Sequence, residues 1–170
     1  MLDPFNIEQL FFAGMDRTVP TPVRDYGPGL KRINLGGVTE RLPDDIESIG
    51  FEQDWDGEVD ALPFYDESVD EIWAVHFFEH IRNLVPLLRE CERVMKPGAI
   101  MNIVVPYGAV HMAIHDVTHV RFFNEDSWPH LFYGTSYYLP AGPWRLRIHT
   151  NFIMGVKGEN IALLTQVIKE

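Results

Sequence analysis

The hydrophobic pattern consists of short apolar runs, typical of buried strands, and one longer stretch with helical periodicity. Over 81–95, apolar residues recur at three- and four-residue spacing, which predicts an amphipathic helix that the Lys-Pro-Gly sequence at 96–98 ends. The run at 99–105 is almost continuously apolar, as expected for a parallel strand covered on both faces. Further strands are predicted at 31–36, 51–55 and 69–76.

Weaker signals predict the remaining elements. Pro43 and two aspartates predict a short helix near 43–49, and a second helix is predicted over 123–133 with Asn124 as its N-cap. Two extended segments at the C-terminal end flank Lys157-Gly158-Glu159, which is typical of a hairpin.

The alternation of strands and helices predicts an α/β fold. We expect an open, mostly parallel, Rossmann-like sheet with helices on both faces and a C-terminal antiparallel hairpin. A length of 170 residues favours a single domain over 1–170, in which the Pro- and Gly-rich residues 1–30 form a lead-in segment.

Composition narrows the classes of partner. The chain has 25 acidic against 14 basic residues and a formal net charge of -11, so a phosphate backbone is an unfavourable partner and nucleic acid is not expected. No apolar run approaches the length of a membrane span, and a soluble, cytoplasmic protein is expected. The one cysteine, Cys91, falls in the amphipathic segment and is interpreted as a small buried residue.

Chemistry-bearing residues follow the predicted strands. In an open parallel sheet, ligands bind beyond the carboxyl ends of the strands, where the strand order reverses. Glycines after a first strand allow close backbone approach, and an acidic residue after the second can accept both hydroxyls of a ribose. These features favour a nucleoside-bearing cofactor. The positions concerned are Gly36, Gly37, Glu52, Asp54, the loop at 60–62 and His76.

Residues 60–106 resemble the central block of class I S-adenosylmethionine-dependent methyltransferases. The shared features are an Asp-Ala pair, a Leu-Pro-Phe loop, an aspartate that opens a strand, a Glu-His pair at 79–80 and an Arg-Val-Met-Lys-Pro-Gly helix end at 93–98. The segment 116–123 is similar to an Asp-Pro-Thr-His-x-Arg-Phe-Phe stretch of some members. The resemblance implies that the chain is an enzyme with S-adenosylmethionine as cofactor and an acceptor that we expect to be a small molecule.

The resemblance also implies roles for individual residues. Asp60 would bond the adenine amino group, Ala61 and Leu62 would line the adenine pocket, and Glu52 or Asp54 would hold the ribose. The backbone that would pass beneath the methionine moiety consists of Asn34, Leu35, Gly36 and Gly37. His76 would lie near the reactive centre, and the candidates for catalysis are His76, His119 and Arg121.

One departure from the family keeps a second hypothesis open. The family's first motif usually has a second glycine, whereas here Gly37 is followed by Val38, which narrows the room for the cofactor. The alternative is a non-catalytic protein of the same fold that has lost cofactor binding and serves as a binding or assembly module. The dense aromatic residues of the last third are interpreted as core, with some available for an acceptor pocket or a homodimer face.

Histidines suggest two further interpretations. His111, His115 and His119 would share one face of a continuous helix, which favours a metal site, but Gly108 and the β-branched Val117 and Thr118 argue against that helix, and no metal is predicted. The pair at 79–80 is either a general base or, as in the resembling family, structural.

Overall fold

Six strands form one mixed sheet in the computed structural model, which describes residues 30–36, 47–48, 62–108, 110–134, 142–156 and 159–170. The strands are β1 (Arg32–Asn34), β2 (Glu47–Ser48), β3 (Val69–Val75), β4 (Met95–Pro106), β5 (Leu146–Val156) and β6 (Glu159–Lys169). The helices of the described residues are α1 (Leu84–Val94), α2 (His111–His115) and α3 (Ser127–Tyr133), with a 3-10 turn at Phe78–His80.

The sheet has the order β2-β1-β3-β4-β6-β5. The first four strands run parallel to their neighbours, whereas β6 pairs antiparallel with both β4 and β5. The chain passes from β1 outward to β2 and then returns to the other side of β1 for β3, so the strand order reverses at β1. The predicted Rossmann-like sheet and its C-terminal hairpin are confirmed.

The main hydrophobic core lies on one face of the sheet, against α1. Helical spacing brings one stripe of α1 fully inside, and alternate residues of the strands meet it. The residues that α1 contributes to the core are Leu84, Leu87, Leu88, Cys91 and Val94. Those that β4 contributes are Met101, Ile103 and Val105. The periodicity that predicted this helix therefore also predicted its buried face.

The opposite face combines a small apolar cluster with a row of buried polar side chains. The cluster is centred on Val104, Ala162 and Leu164. In the polar row, Asn102 donates to a Glu71 carboxylate oxygen at 2.8 Å and accepts from Gln166 at 3.0 Å, which joins β3, β4 and β6. Burial raises the pKa of Glu71, although Arg32, 2.9 Å away, opposes the shift.

The prediction of a helix near 43–49 is wrong for its C-terminal residues, 47 and 48. Glu47 and Ser48 form β2 and pair in parallel with Ile33 and Asn34 of β1. Pairing with a neighbouring strand overrides local helix propensity here. The strand predicted at 51–55 lies outside the described residues, and so does the lead-in predicted over 1–30, except for residue 30.

The ends of α1 differ from the predicted 81–95. Ile81 has an extended backbone (φ -84°, ψ 119°) because the 3-10 turn before it ends there, and α1 begins at Leu84. Met95 is also extended and opens β4, so the Lys-Pro-Gly sequence lies inside the strand and does not follow the helix. The strand predicted at 99–105 is correspondingly longer.

The second predicted helix begins later than residue 123. The Asn124 side-chain oxygen accepts from the Asp126 backbone N–H at 3.1 Å and from the Ser127 hydroxyl at 3.0 Å. These bonds stabilise a turn in front of α3, a common alternative to helix for asparagine. None of the described helices has the length and apolar character needed to cross a membrane.

Candidate functional site

The carboxyl ends of β1 and β3 meet where the strand order reverses. The Leu35 N–H donates to the Trp73 carbonyl at 2.9 Å, which holds the turn after β1 against β3. A Cβ placed on Gly36 would lie 3.5 Å from the Val75 carbonyl oxygen and 3.7 Å from the Phe77 Cβ. Gly36 and the end of β3 are therefore neighbours, at the point where open α/β sheets bind their ligands.

Asn34 fixes this turn through its own side chain. Its Nδ2 donates to the Gly36 carbonyl at 2.5 Å, and its Oδ1 accepts from the Gly36 N–H at 3.2 Å. The side chain is 1% exposed, so these bonds are made away from water. Asn34 thus orders the backbone at which a ligand would arrive.

His76 follows β3 directly and has an unusual backbone. Its φ is 48°, the left-handed region that residues other than glycine rarely adopt, while its N–H donates to the Val104 carbonyl at 2.8 Å. The side chain is 26% exposed, and its Nδ1 lies 3.3 Å from a Glu79 carboxylate oxygen. Such local strain is typical of functional positions.

Leu62 is held in place by α1. Its N–H donates to a Glu90 carboxylate oxygen at 2.9 Å, and its carbonyl accepts from the Arg93 guanidinium at 3.1 Å. Arg93 also bonds Glu90 at 2.7 Å, which, with the Leu62 N–H, holds the pKa of Glu90 below its ordinary value against the opposing effect of burial. Leu62 itself is buried in the main core.

The other cofactor positions proposed from sequence lie outside the described residues. They are Gly37, Glu52, Asp54, Asp60 and Ala61, and the same holds for Val38. Their roles toward the adenine, the ribose and the methionine moiety stay predictions.

Arg121 is bound to backbone carbonyls. Its Nε donates to the Ile81 carbonyl at 2.9 Å and its Nη2 to the Arg82 carbonyl at 2.5 Å. Burial lowers the pKa of the Arg121 guanidinium. These contacts fasten the segment 116–123 onto the stretch after the 3-10 turn, a function that no sequence signal indicated.

The three histidines do not lie on one continuous helix, in agreement with the argument from the β-branched residues that follow His115. Helix α2 ends at His115, and Asp116 after it is extended (φ -81°, ψ 112°). The His111 and His115 rings stack at 4.6 Å on the surface. His119 instead lies against His80, with ring centroids 4.7 Å apart. Asp116 ends the helix because its side chain accepts from the Thr118 N–H at 2.9 Å.

Glu79 joins this second pair of histidines. The residue is 1% exposed, and its backbone carbonyl accepts from the Val120 N–H at 2.8 Å and the Arg121 N–H at 3.2 Å. The Glu79-His80 pair of the sequence is therefore brought against His119 by a segment almost forty residues further along. Sequence reasoning noted each of these residues and missed their association.

Comparison with known proteins finds similarity in the part of the chain that contains β3 and α1. Residues 40–103 match the family model described as a methyltransferase domain. A segment of 45 residues is 47% identical to malonyl-[acyl-carrier protein] O-methyltransferase 1 of Coxiella burnetii, and it covers 26% of this chain and 16% of that protein.

This match supports the resemblance of this part of the chain to class I S-adenosylmethionine-dependent methyltransferases. Solved structures agree with the fold of the chain. An S-adenosylmethionine-dependent methyltransferase of Thermotoga maritima superposes with a TM-score of 0.55 at 15% identity, over 84% of this chain and 83% of the other. A chain from the complex between the Haloferax volcanii Trm112 methyltransferase activator and a methyltransferase also gives 0.55, at 17% identity, over 82% and 72%. The methyltransferase-family sheet is thus shared despite low identity.

Proposed function

We propose that this chain binds S-adenosylmethionine above the carboxyl ends of β1 and β3 and transfers its methyl group to a small-molecule acceptor. The observation that carries the proposal is the close packing of Gly36 against the end of β3, at the point where the strand order reverses. The family match over residues 40–103 supports it.

The chain's own residues would act mainly by positioning. When bound, the cofactor supplies an electrophilic methyl group on a sulfonium, and in-line transfer requires alignment above all. The Asn34–Gly36 turn offers an ordered backbone for the methionine end. His76, partly exposed at the end of β3, is placed to accept a proton from the acceptor where one must leave.

A small acceptor is favoured by charge and by one relative. With a net charge of -11 the chain repels nucleic acid. The Coxiella burnetii relative is, by its name, a methyltransferase of malonyl-[acyl-carrier protein], so an acid on a carrier is one class of acceptor to include in a screen.

Binding of the cofactor is tested by titration calorimetry of the full chain with S-adenosylmethionine and S-adenosylhomocysteine. We expect saturable binding of both at a 1:1 ratio, and a rise in Tm in the presence of either. No heat with either ligand at millimolar concentration would overturn the proposal.

The second candidate is a binding or assembly module that has lost the cofactor. The observation that favours it is Val38, which stands where the family usually has a second glycine. Val38→Gly distinguishes the two candidates. An enzyme should bind S-adenosylhomocysteine both with Val38 and after the change to glycine. A module that lost the cofactor through Val38 should bind it only as Val38→Gly, and a module that lost it through other changes in neither form.

A further inference from the structure

Three side chains near the end of β3 form a cluster of metal-ligand type. One ligand atom from each of Glu79, His80 and His119 lies within 4.8 Å of the other two. We propose that these three residues bind a divalent transition-metal ion.

The Glu79 carboxylate is the first reason. It is 1% exposed, and neither of its oxygens accepts a hydrogen bond from the described residues. The His76 Nδ1 lies 3.3 Å from Oε1 but does not make a hydrogen bond of good geometry. Burying a carboxylate in this way is costly unless a charge of opposite sign compensates it, and a bound cation supplies that charge.

The hydrogen bonds of the two histidines are the second reason. The Nδ1 of His119 lies 2.8 Å from the Ala113 carbonyl oxygen, which can only accept, so this nitrogen carries the proton. The Thr118 hydroxyl donates to Asp116 at 2.6 Å and therefore accepts from the Nδ1 of His80 at 2.9 Å. In the neutral form, both rings therefore carry their lone pair on Nε2, the arrangement by which outer partners orient metal-ligating histidines.

The backbone holds the cluster together. Glu79 and His80 belong to the 3-10 turn, and the Val120 N–H donates to the Glu79 carbonyl at 2.8 Å, which brings the His119 segment alongside. Donor atoms around a tetrahedral zinc ion stand about 3.3 Å apart, since each bond is about 2.0–2.1 Å long. The ligand atoms, which now lie within 4.8 Å of one another, would have to move closer together on binding. Asp116, with its Oδ2 3.7 Å from the His119 Nε2, lies at the rim of the site.

The ligand set indicates the class of ion. Two imidazoles and one carboxylate suit Zn²⁺ and neighbouring divalent ions of the first transition row, whereas Mg²⁺ and Ca²⁺ prefer oxygen ligands alone. Three protein ligands leave coordination positions for water or for an oxygen of a small molecule.

The test measures metal binding directly and is independent of methyl transfer. The full chain, stripped with a chelator, is titrated with Co²⁺ while its visible absorption is recorded, and Zn²⁺ is then added as competitor. We expect one Co²⁺ per chain, displaced by one Zn²⁺, and one equivalent of zinc by elemental analysis after zinc loading and dialysis. A wild-type chain that holds no stoichiometric Co²⁺ or Zn²⁺ overturns the proposal.

Variants locate the ion. Glu79→Gln, His80→Gln and His119→Gln should each weaken Co²⁺ binding by at least ~10-fold, given that even outer partners of a metal site contribute 10–100-fold. The matched control is the double variant His111→Gln and His115→Gln, which replaces two nearby histidines outside the cluster. It should bind Co²⁺ with the affinity of the wild type. Circular dichroism selects the variants that fold. Loss of binding in the control, or wild-type affinity in any folded test variant, contradicts the assignment.

A calorimetric titration with S-adenosylhomocysteine separates this inference from the proposed function. A chain that binds the cofactor but no metal overturns only the metal site. A chain that binds the metal but no cofactor overturns only the methyltransferase proposal.

Discussion

The Arg121 guanidinium donates from Nε to the Ile81 carbonyl oxygen at 2.9 Å, across a separation of 40 residues. This bond, with the second one to the Arg82 carbonyl, ties the segment of His119 to the 3-10 turn of Glu79 and His80. The geometry gives Arg121 a positioning role in this part of the molecule, and its role in catalysis stays a prediction.

Arg121→Ala should therefore destabilise the fold. Hydrogen bonds from a charged donor contribute about 1.5–3 kcal/mol, which for a chain of this size corresponds to a fall in Tm of about 3–12 °C. Differential scanning calorimetry measures it. The control is Arg147→Ala, which removes an exposed ion pair with Glu170 and should change the free energy of unfolding by less than about 1 kcal/mol. Equal effects of the two substitutions would contradict the role given to Arg121.

Substitution by alanine should leave the stability almost unchanged at Gly36 and lower it at Gly108. A Cβ on Gly36 would make contacts of 3.5 Å or longer, so Gly36→Ala should fold with a stability within about 0.5 kcal/mol of wild type. A Cβ on Gly108 would lie 3.1 Å from the Phe123 carbonyl oxygen, and the overpacking should cost about 1–3 kcal/mol. Urea unfolding measures both.

The same pair tests the location of the cofactor. If the methionine end lies over the turn after β1, Gly36→Ala should weaken S-adenosylhomocysteine binding by about tenfold or more, equivalent to about 1.4 kcal/mol. Folded Gly108→Ala should keep the wild-type affinity. Unchanged affinity in Gly36→Ala would place the cofactor elsewhere.

The features that could be predicted from sequence are those set by local patterns of apolar and turn residues. The α1 segment repeats with the helical period, so its apolar positions also specify its buried face. The β4 segment could be predicted from its near-continuous apolar run, and the C-terminal hairpin from its Lys157-Gly158-Glu159 turn. Element ends could not be predicted in the same way. Glu47 and Ser48 depend on the neighbouring β1, and the start of α3 depends on the side-chain bonds of Asn124.

The same distinction applies to the candidate site. The rule that ligands bind at carboxyl ends of strands was enough to select Gly36 and His76. The association of Glu79 with His119 could not be predicted, because it depends on a segment that turns back after α2. The argument against one helix through the three histidines agrees with the structure, and the reason is local: the Asp116 side chain accepts a hydrogen bond from the Thr118 N–H where the helix ends.

His76 should tolerate asparagine and resist a β-branched residue. Its φ of 48° is accessible to asparagine at little cost, whereas a β-branched side chain in the left-handed region costs about 1–2 kcal/mol or more. His76→Asn should thus unfold in urea close to the wild-type midpoint, and His76→Val at a lower one. If the proposed proton transfer is right, His76→Asn keeps S-adenosylhomocysteine affinity and loses methyl transfer to any acceptor that must be deprotonated. Equal midpoints for the two variants would exclude backbone strain at this position.

Glu90 should make stability depend on pH in the acidic range. Its pKa is lowered in the folded chain, chiefly by the Arg93 hydrogen bond, relative to the ordinary value of about 4.3. A carboxyl with a lowered folded pKa stabilises the fold above the ordinary value, and this contribution is lost as the pH falls toward the folded value. Urea unfolding of wild type and Glu90→Gln at intervals from pH 7 to pH 3 measures it. The other carboxylates contribute equally to both proteins, so the difference in free energy of unfolding between them isolates Glu90. This difference should be largest at neutral pH and shrink below about pH 4.5, as Glu90 becomes protonated. A difference that stays constant across this range would show that the Arg93 pair does not contribute through the charge of Glu90.

The buried thiol gives the simplest check of the main core. Cys91 is the one cysteine of the chain and is fully buried in α1, and burial raises the pKa of its thiol. Since the thiolate is the reactive form, a disulfide reagent such as dithiobisnitrobenzoate should not modify the folded protein on the time scale of minutes. One equivalent should react at once in denaturant. The reaction rate at low denaturant then reports how often α1 opens, and stoichiometric labelling of the native chain within seconds would contradict the position of Cys91 in the core.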